Sequence, residues 1–283
     1  MGVILKRIKY YDPINRRLIY VGNKATPDYW DERWITGDNI REEILKSNKT
    51  FVSQITNKYL SSKDGMILEG GCGKGRHVAA LVNNGYFCIG VDYAVKTVNV
   101  INEICPELNI IVADVHMLPF PNELFIGYWS LGVIEHFWEG FDLILMEMSR
   151  VTRHGGYLFV TFPYMSPLRR FKARIGFYAL WKKEQAPYNF YQFALDPKFV
   201  SRIFKNYEFK LIKTIPFDTV NGVLDEIPII NRLLRNLIQY NGNNILLKLI
   251  RKFIYIIITM IMFPISAHCL LLIFKKTSCN GKT

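Results

Sequence analysis

Apolar residues in this chain gather into short unbroken runs, and polar stretches with a helical apolar spacing lie between them. Met66-Ile67-Leu68, YFCIGVD ending at Asp92, NIIVAD ending at Asp114, Leu124 to Ser130 and YLFVTFP ending at Pro163 each read as a buried strand. Strands covered on both faces carry continuous rather than alternating apolar runs. The stretches between them place Val95, Val98, Ile101 and Ile104, then Phe141, Ile144, Leu145 and Met148, on single helical faces. FKLIKTIPF reads as a sixth strand after a helix that Asp196-Pro197 starts and that runs through Phe204. Strand and helix alternating in this way predict an α/β fold, a doubly wound parallel sheet. Right-handed crossovers bring the strand tips to one edge.

The flanks are less regular. Residues 1 to about 25 are basic and aromatic (Lys6, Arg7, Lys9, Tyr10, Tyr11, Arg16, Arg17) and read as an arm packed on the domain. TPDYWDERWI starts a helix with Thr26 as cap and Pro27 at the first position. A second, amphipathic helix is expected from Ile40 to Leu60, followed by the turn Ser61-Ser62-Lys63-Asp64-Gly65. Between Tyr164 and Tyr188, Leu168, Phe171, Ile175, Tyr178 and Trp181 fall at helical spacing among Arg169, Arg170, Lys172, Arg174, Lys182 and Lys183. That predicts a basic amphipathic helix, either a lid or a membrane-surface element. From Phe253 to Phe274 no residue is charged. The run is long enough to span a bilayer, but Pro264 divides it into a helix-length and a strand-length half.

Composition narrows the classes. Half of the 283 residues are hydrophobic, so a sizeable core is expected and disorder is excluded. Five cysteines without paired spacing fit a reducing, cytoplasmic setting and give no metal or disulfide framework. MGVILKRIKYYD has too short an apolar run for a signal peptide. The net charge of +12 favours an anionic partner. No nucleic-acid module is recognisable, so an anionic membrane surface is the partner expected.

The candidate chemistry centres on Glu69 and the glycines Gly71, Gly73 and Gly75, which link the first strand to a helix beginning at Arg76. Such a loop lets a ligand approach the backbone and the helix N-terminal amides. Its G-x-G-x-G spacing differs from the dinucleotide G-x-G-x-x-G, and Lys74-Gly75-Arg76 lacks the Ser or Thr of a phosphate loop. ILEGGCGKG resembles motif I of class I S-adenosylmethionine-dependent methyltransferases. GVDYA, the ADVHMLPFPNELF run and SLGVIEHF resemble that family's next three segments in order. The likeness covers about residues 26 to 163. It departs at Ile126, where most relatives carry an acid.

The resemblance implies S-adenosylmethionine as cofactor on a seven-stranded Rossmann-like sheet. SAHCLLLIFKK would be its last, antiparallel strand, and residues 218 to 263 an apolar helical insertion between strands six and seven. It further implies that Asp92, with Tyr93, meets the ribose hydroxyls. Asp114 and the Val115 amide would meet adenine, with Ser130 at the tip of strand four. Trp30 and Arg33 would reach the methionine end. His136 would be the general base with Tyr164 behind it. The expected layout is an arm and covering helices at 1–60, a core at 61–217 with a basic lid near 164–190, the insertion at 218–263, and a final strand and tail at 264–283. The expected reaction moves a methyl group to an O, N or C nucleophile of a small or lipid-like acceptor, on or near a membrane. A nicotinamide-dependent oxidoreductase, a membrane-associated scaffold that retains the pocket, and a C-terminal membrane anchor are the alternatives.

Overall fold

The computed structural model describes residues 8–35, 40–46, 48–60, 63, 65–182, 186–240 and 242–277. The arm is a hairpin, β1 (Ile8–Asp12) and β2 (Arg17–Val21). Asp12 sets its turn by accepting from the Ile14 and Asn15 amides at 3.1 Å and from Arg17 Nε at 3.0 Å. Helix α1 (Pro27–Trp34) follows, capped by Thr26 with Pro27 in the first turn. The expected helix over 40–60 is two, α2 (Ile40–Leu45) and α3 (Phe51–Tyr59), because Thr50 and Ser53 form a capping box that restarts it. Of the turn expected at 61–65, positions 61, 62 and 64 lie outside the described residues, as do Lys6, Arg7 and Lys183.

The apolar runs become β3 (Met66–Gly70), β4 (Phe87–Asp92), β5 (Asn109–Val112), β6 (Phe125–Leu131) and β7 (Thr152–Pro163). They alternate with α4 (Arg76–Asn83), α5 (Val95–Ile104) and α6 (Asp142–Val151). Then come α7 (Pro167–Arg174), β8 (Ala179–Leu180), β9 (Phe190–Ala194), α8 (Pro197–Asn206) and β10 (Phe209–Phe217). The chain continues through α9 (Thr219–Glu226), α10 (Pro228–Ile238) and α11 (Ile245–Met262) into β11 (Cys269–Lys276). The main sheet has seven strands in the order β10-β11-β7-β6-β3-β4-β5, with β11 antiparallel to both neighbours. This is the doubly wound, Rossmann-like arrangement, with the apolar helices α9 to α11 inserted before the antiparallel strand. The charge-free run at 253–274 is split between α11 and β11, and among the described residues no helix is long and apolar enough to cross a membrane.

Both faces of the sheet are covered. Leu68, Tyr128, Leu158, Val160 and Phe274 pack on one side, and Ile67, Trp129, Phe159, Leu271 and Ile273 on the other. Trp129 stacks on Phe159 at 4.3 Å and donates its indole N–H to Thr56 Oγ1 at 2.9 Å, which fixes α3 beneath the sheet.

A second sheet, β8-β1-β2-β9, was not expected from the sequence. The basic helix is also shorter than its spacing predicts. It stops at Arg174 before Gly176 (φ +75°), and Ala179 and Leu180 join β1 instead. Its faces are inverted as well. Phe171 is 59 % exposed, whereas Arg169 is wholly buried and Lys172 nearly so, both paired with acids of α9. The helix's cations are therefore divided, with Arg169 and Lys172 buried and Arg170 and Arg174 exposed.

Helix α9 lies hard against the turn before β11. A Cβ on Gly222 would stand 1.6 Å from the Ser266 carbonyl oxygen and 2.9 Å from the His268 amide nitrogen, both backbone atoms that cannot swing away. Gly222→Ala is expected to lower the unfolding free energy by about 1–3 kcal/mol. A urea titration checks this, and an unchanged midpoint would mean that α9 can shift freely.

Candidate active site

The tips of β3, β4 and β5 meet at one edge. After β3 the chain reverses through Gly71 (φ +76°) and Gly73 (φ +50°), conformations that a Cβ strains. The amides of Gly71 and Cys72 donate to the Val91 carbonyl at 2.8 and 3.0 Å. The Gly73 amide donates to Asp92 Oδ2 at 2.8 Å, and the Ala94 amide to Asp92 Oδ1 at 2.9 Å. The loop is thus laced to the tip of β4. Burial raises the Asp92 pKa, and hydrogen bonds from the Ala94, Gly73 and Tyr93 backbone oppose that rise. Each Asp92 oxygen keeps capacity for another donor.

A cavity of roughly 670 Å³, mouth included, opens over this edge. Of the residues singled out in the sequence, Trp30, Gly71, Asp92, Tyr93, Asp114, Val115 and His136 line it. Gly73 and Gly75 shape the loop without lining the cavity. Arg33 is exposed on the last turn of α1. Ser130 is fully buried at the end of β6, and its hydroxyl has no partner among the described residues.

Glu69 points beneath the loop. It is buried, takes a hydrogen bond from the Val78 backbone and has its pKa raised by burial and then by Asp92. Tyr164 stands apart, donating to the Pro264 carbonyl at 3.4 Å. It follows β7 and forms an isolated bridge with Leu195.

Asp114 accepts from the His116 amide at 2.9 Å and pairs with His116 Nδ1 at 2.7 Å. The segment behind it is pinned by Arg150, which donates to the carbonyls of Leu118 at 2.9 Å and Phe120 at 2.6 Å. Glu147 accepts from the Leu118 amide at 2.6 Å, and its ion pair with Arg150 holds its carboxyl below the usual range. His136 sits in a 3-10 turn after β6, between Trp30 and Tyr191, with ring centroids 5.2 Å from each. Its Nδ1 lies 2.7 Å from the Tyr191 carbonyl oxygen. A carbonyl only accepts, so Nδ1 carries a proton.

Sequence reasoning missed Trp34, His116, Val133 and Phe137 on the cavity wall. Trp34 was signalled by its place four residues after Trp30. The two indoles stack at 5.7 Å, and Trp34 covers Gly73, where a Cβ would come within 3.1 Å of it. Tyr191 carried no local signal, because it belongs to the unexpected sheet.

The site fits S-adenosylmethionine on its own features. The wall at Gly71 is bare backbone, the buried Asp92 carboxylate can accept from a sugar diol, and indoles and His136 bound the far end. Among the described residues, no cluster of His, Cys, Asp or Glu could hold a metal ion.

A sequence family described as a methyltransferase domain matches residues 68–160. A probable S-adenosylmethionine-dependent methyltransferase of Mycolicibacterium smegmatis is 31 % identical over 97 residues, 34 % of this chain and 37 % of that protein. The chain thus matches little more than a third of that relative's length. Among solved structures, a putative sarcosine dimethylglycine methyltransferase from Galdieria sulphuraria is 12 % identical with a TM-score of 0.52, over 90 % of this chain and 91 % of that one. The geranyl diphosphate C-methyltransferase of Streptomyces coelicolor is 11 % identical with a TM-score of 0.52, over 90 % of this chain and 100 % of that one. These two likenesses concern the fold. Glycine loop, strand-tip acids and sheet order converge with the family match, and residues 68–160 are similar to a methyltransferase domain of the S-adenosylmethionine-dependent kind.

Proposed function

We propose that the protein transfers a methyl group to an oxygen, nitrogen or carbon nucleophile of a small or amphiphilic acceptor. The observation that carries this reading is His136 held at the cavity wall by the Tyr191 carbonyl, on the same edge as the glycine loop and Asp92. S-adenosylmethionine, when bound, supplies a methyl carbon already activated by a cationic sulfur. The protein's work is then binding, alignment and exclusion of water.

In this reading Asp92 accepts from both ribose hydroxyls, and Asp114 and the Val115 amide meet the adenine edge. Gly71 lets the cofactor lie against backbone, and Trp30 and Trp34 close the methionine end. His136 Nε2 takes the proton of an acceptor that carries one. Arg33 and Tyr164 are left out, because neither lines the cavity. An amphiphilic acceptor met at a membrane surface is supported by the exposed apolar residues of α11 and the cations beside them.

His136→Gln is expected to slow methyl transfer by about 10²–10⁴-fold while leaving affinity for S-adenosylhomocysteine within about threefold. Methyl-labelled cofactor incubated with an extract reads the first, with labelled product sought in its lipid and aqueous fractions. Calorimetry reads the second. No binding of S-adenosylhomocysteine by folded protein would end the methyltransferase reading. Label confined to water-soluble product would end the amphiphilic one, and an undiminished rate would remove His136 as the base.

A further inference from the structure

Helices α10 and α11 contain no buried residue, although α11 is among the most apolar stretches of the chain. At about 100° per residue, Ile245, Ile256, Leu249, Met260, Phe253, Leu246, Ile257, Ile250 and Ile261 succeed one another around one continuous arc of about 160°. Every one of them is exposed, Met260 by 78 % and Ile245 by 74 %. Leu247, Ile254, Ile258 and Met262, on the opposite side, are half-buried, and α11 packs there against α9 and α10. The outward face therefore carries nine large apolar side chains and no charge. Isolated exposed apolar residues are ordinary, but a continuous face of this size is a contact surface.

The rim of that face says what the contact is with. Lys248 and Lys252 border the arc on one side, and both are exposed. With Arg251, Tyr255, Ile245 and Ile256 they line a groove open to solvent beside it. Arg232 and Arg235 are exposed on α10 near Ile229 and Leu233, which are themselves 72 % exposed. No Asp or Glu follows Glu226 in the sequence. An apolar helix face edged only by cations complements a layer with anionic headgroups above a hydrocarbon interior. The helix also lies rather than spans, since among the described residues none is long and apolar enough to cross.

The insertion leaves the sheet from the carboxyl end of β10 and returns at the start of β11, the edge that carries Gly71, Asp92 and His136. We infer that α10 and α11 form a peripheral docking face for an anionic lipid bilayer. The nine-residue arc of α11 enters the interfacial layer, and Lys248, Lys252, Arg232 and Arg235 meet headgroup phosphates. The edge of the sheet that carries the cavity then stands on the membrane side. This gives the amphiphilic-acceptor reading a place, and it rests on that reading only for its purpose, because vesicle binding is measured without methyl transfer.

Full-length protein is sedimented with phosphatidylcholine vesicles with and without phosphatidylglycerol. Three proteins are compared: wild type, Leu249→Ser/Phe253→Ser/Met260→Ser, and Lys248→Ser/Lys252→Ser. Calorimetry with S-adenosylhomocysteine shows that each variant has kept its fold. Wild type should bind the anionic vesicles and not the neutral ones. The apolar triple variant should lose that binding, and the lysine variant should weaken it by roughly fivefold per lysine, the equivalent of about 1 kcal/mol each near an anionic surface. Failure of wild type to sediment overturns the proposal, and so does equal sedimentation of all three folded proteins. A wild-type dimer that ignores vesicles and falls to monomer in the triple variant overturns it too, assigning the face to a second copy.

Discussion

Arg169→Met is expected to lower the unfolding free energy by about 3 kcal/mol at neutral pH, the low end of what removing one member of a buried ion cluster costs. Arg169 donates to Glu226 Oε1 at 3.0 Å, Asp225 Oδ2 at 2.9 Å, the Tyr164 and His268 carbonyls at 2.8 and 3.0 Å, and His268 Nδ1 at 2.7 Å. Methionine fills much of the volume and satisfies none of these. Lys9, 2.7 Å from Asp225 and 2.8 Å from Glu226, and Lys172, 2.6 Å from Glu226, stay to hold the acids, so the loss stops short of 5 kcal/mol.

The pH dependence has a definite sign. Burial opposes ionisation of Asp225 and Glu226, but Lys9 and Arg169 override it and hold both below the usual carboxylate range. Depressed folded-state values give stability that is complete above the ordinary carboxylate pKa of about 4 and is lost as pH falls through the depressed values. The gap between wild type and Arg169→Met should therefore be full at pH 7 and shrink in acid below about 4. Urea titrations at several pH values measure it. Equal midpoints at pH 7 would show that the cluster contributes nothing net, as some buried ion pairs do when replaced by apolar groups.

Asp92→Ala is expected to weaken S-adenosylhomocysteine binding by roughly 10²–10⁴-fold. Two hydroxyl donors to one carboxylate are worth about 1.5–3 kcal/mol each. Asp92→Asn keeps the shape and should fall between the two proteins. Since Asp92 also holds the Gly73 and Ala94 amides, alanine removes a ligand contact and a loop tie together. Circular dichroism melting of the unliganded variants separates these effects. Calorimetric affinity within threefold of wild type for Asp92→Ala would put the ribose elsewhere.

The central strands of the main sheet were legible because they are short, mostly apolar runs, and those of β3 and β4 end in a glycine and an acid, a pattern that depends on nothing distant. The segment after Ser166 was not. Its apolar spacing is helical, yet the buried face is Arg169 and Lys172, and what makes that affordable is Asp225 and Glu226 more than fifty residues later. The small sheet was hidden for the same reason. Tyr10 pairs with Ala179 and Leu18 with Ala194, and no local period announces pairing over such separations. At the site, the acids and glycines stood out by position on their strands. The orientation of His136 depends on the Tyr191 carbonyl, a backbone atom with no residue-type signature.

The ties from Gly71 and Cys72 to Val91, and from Gly73 to Asp92, are made by the protein to itself. The entropy of arranging that hairpin is thus met during folding, and a nucleoside reaching it need not organise it again. Association should consequently run close to the rate of encounter, with mutations in the pocket speeding departure far more than they slow arrival.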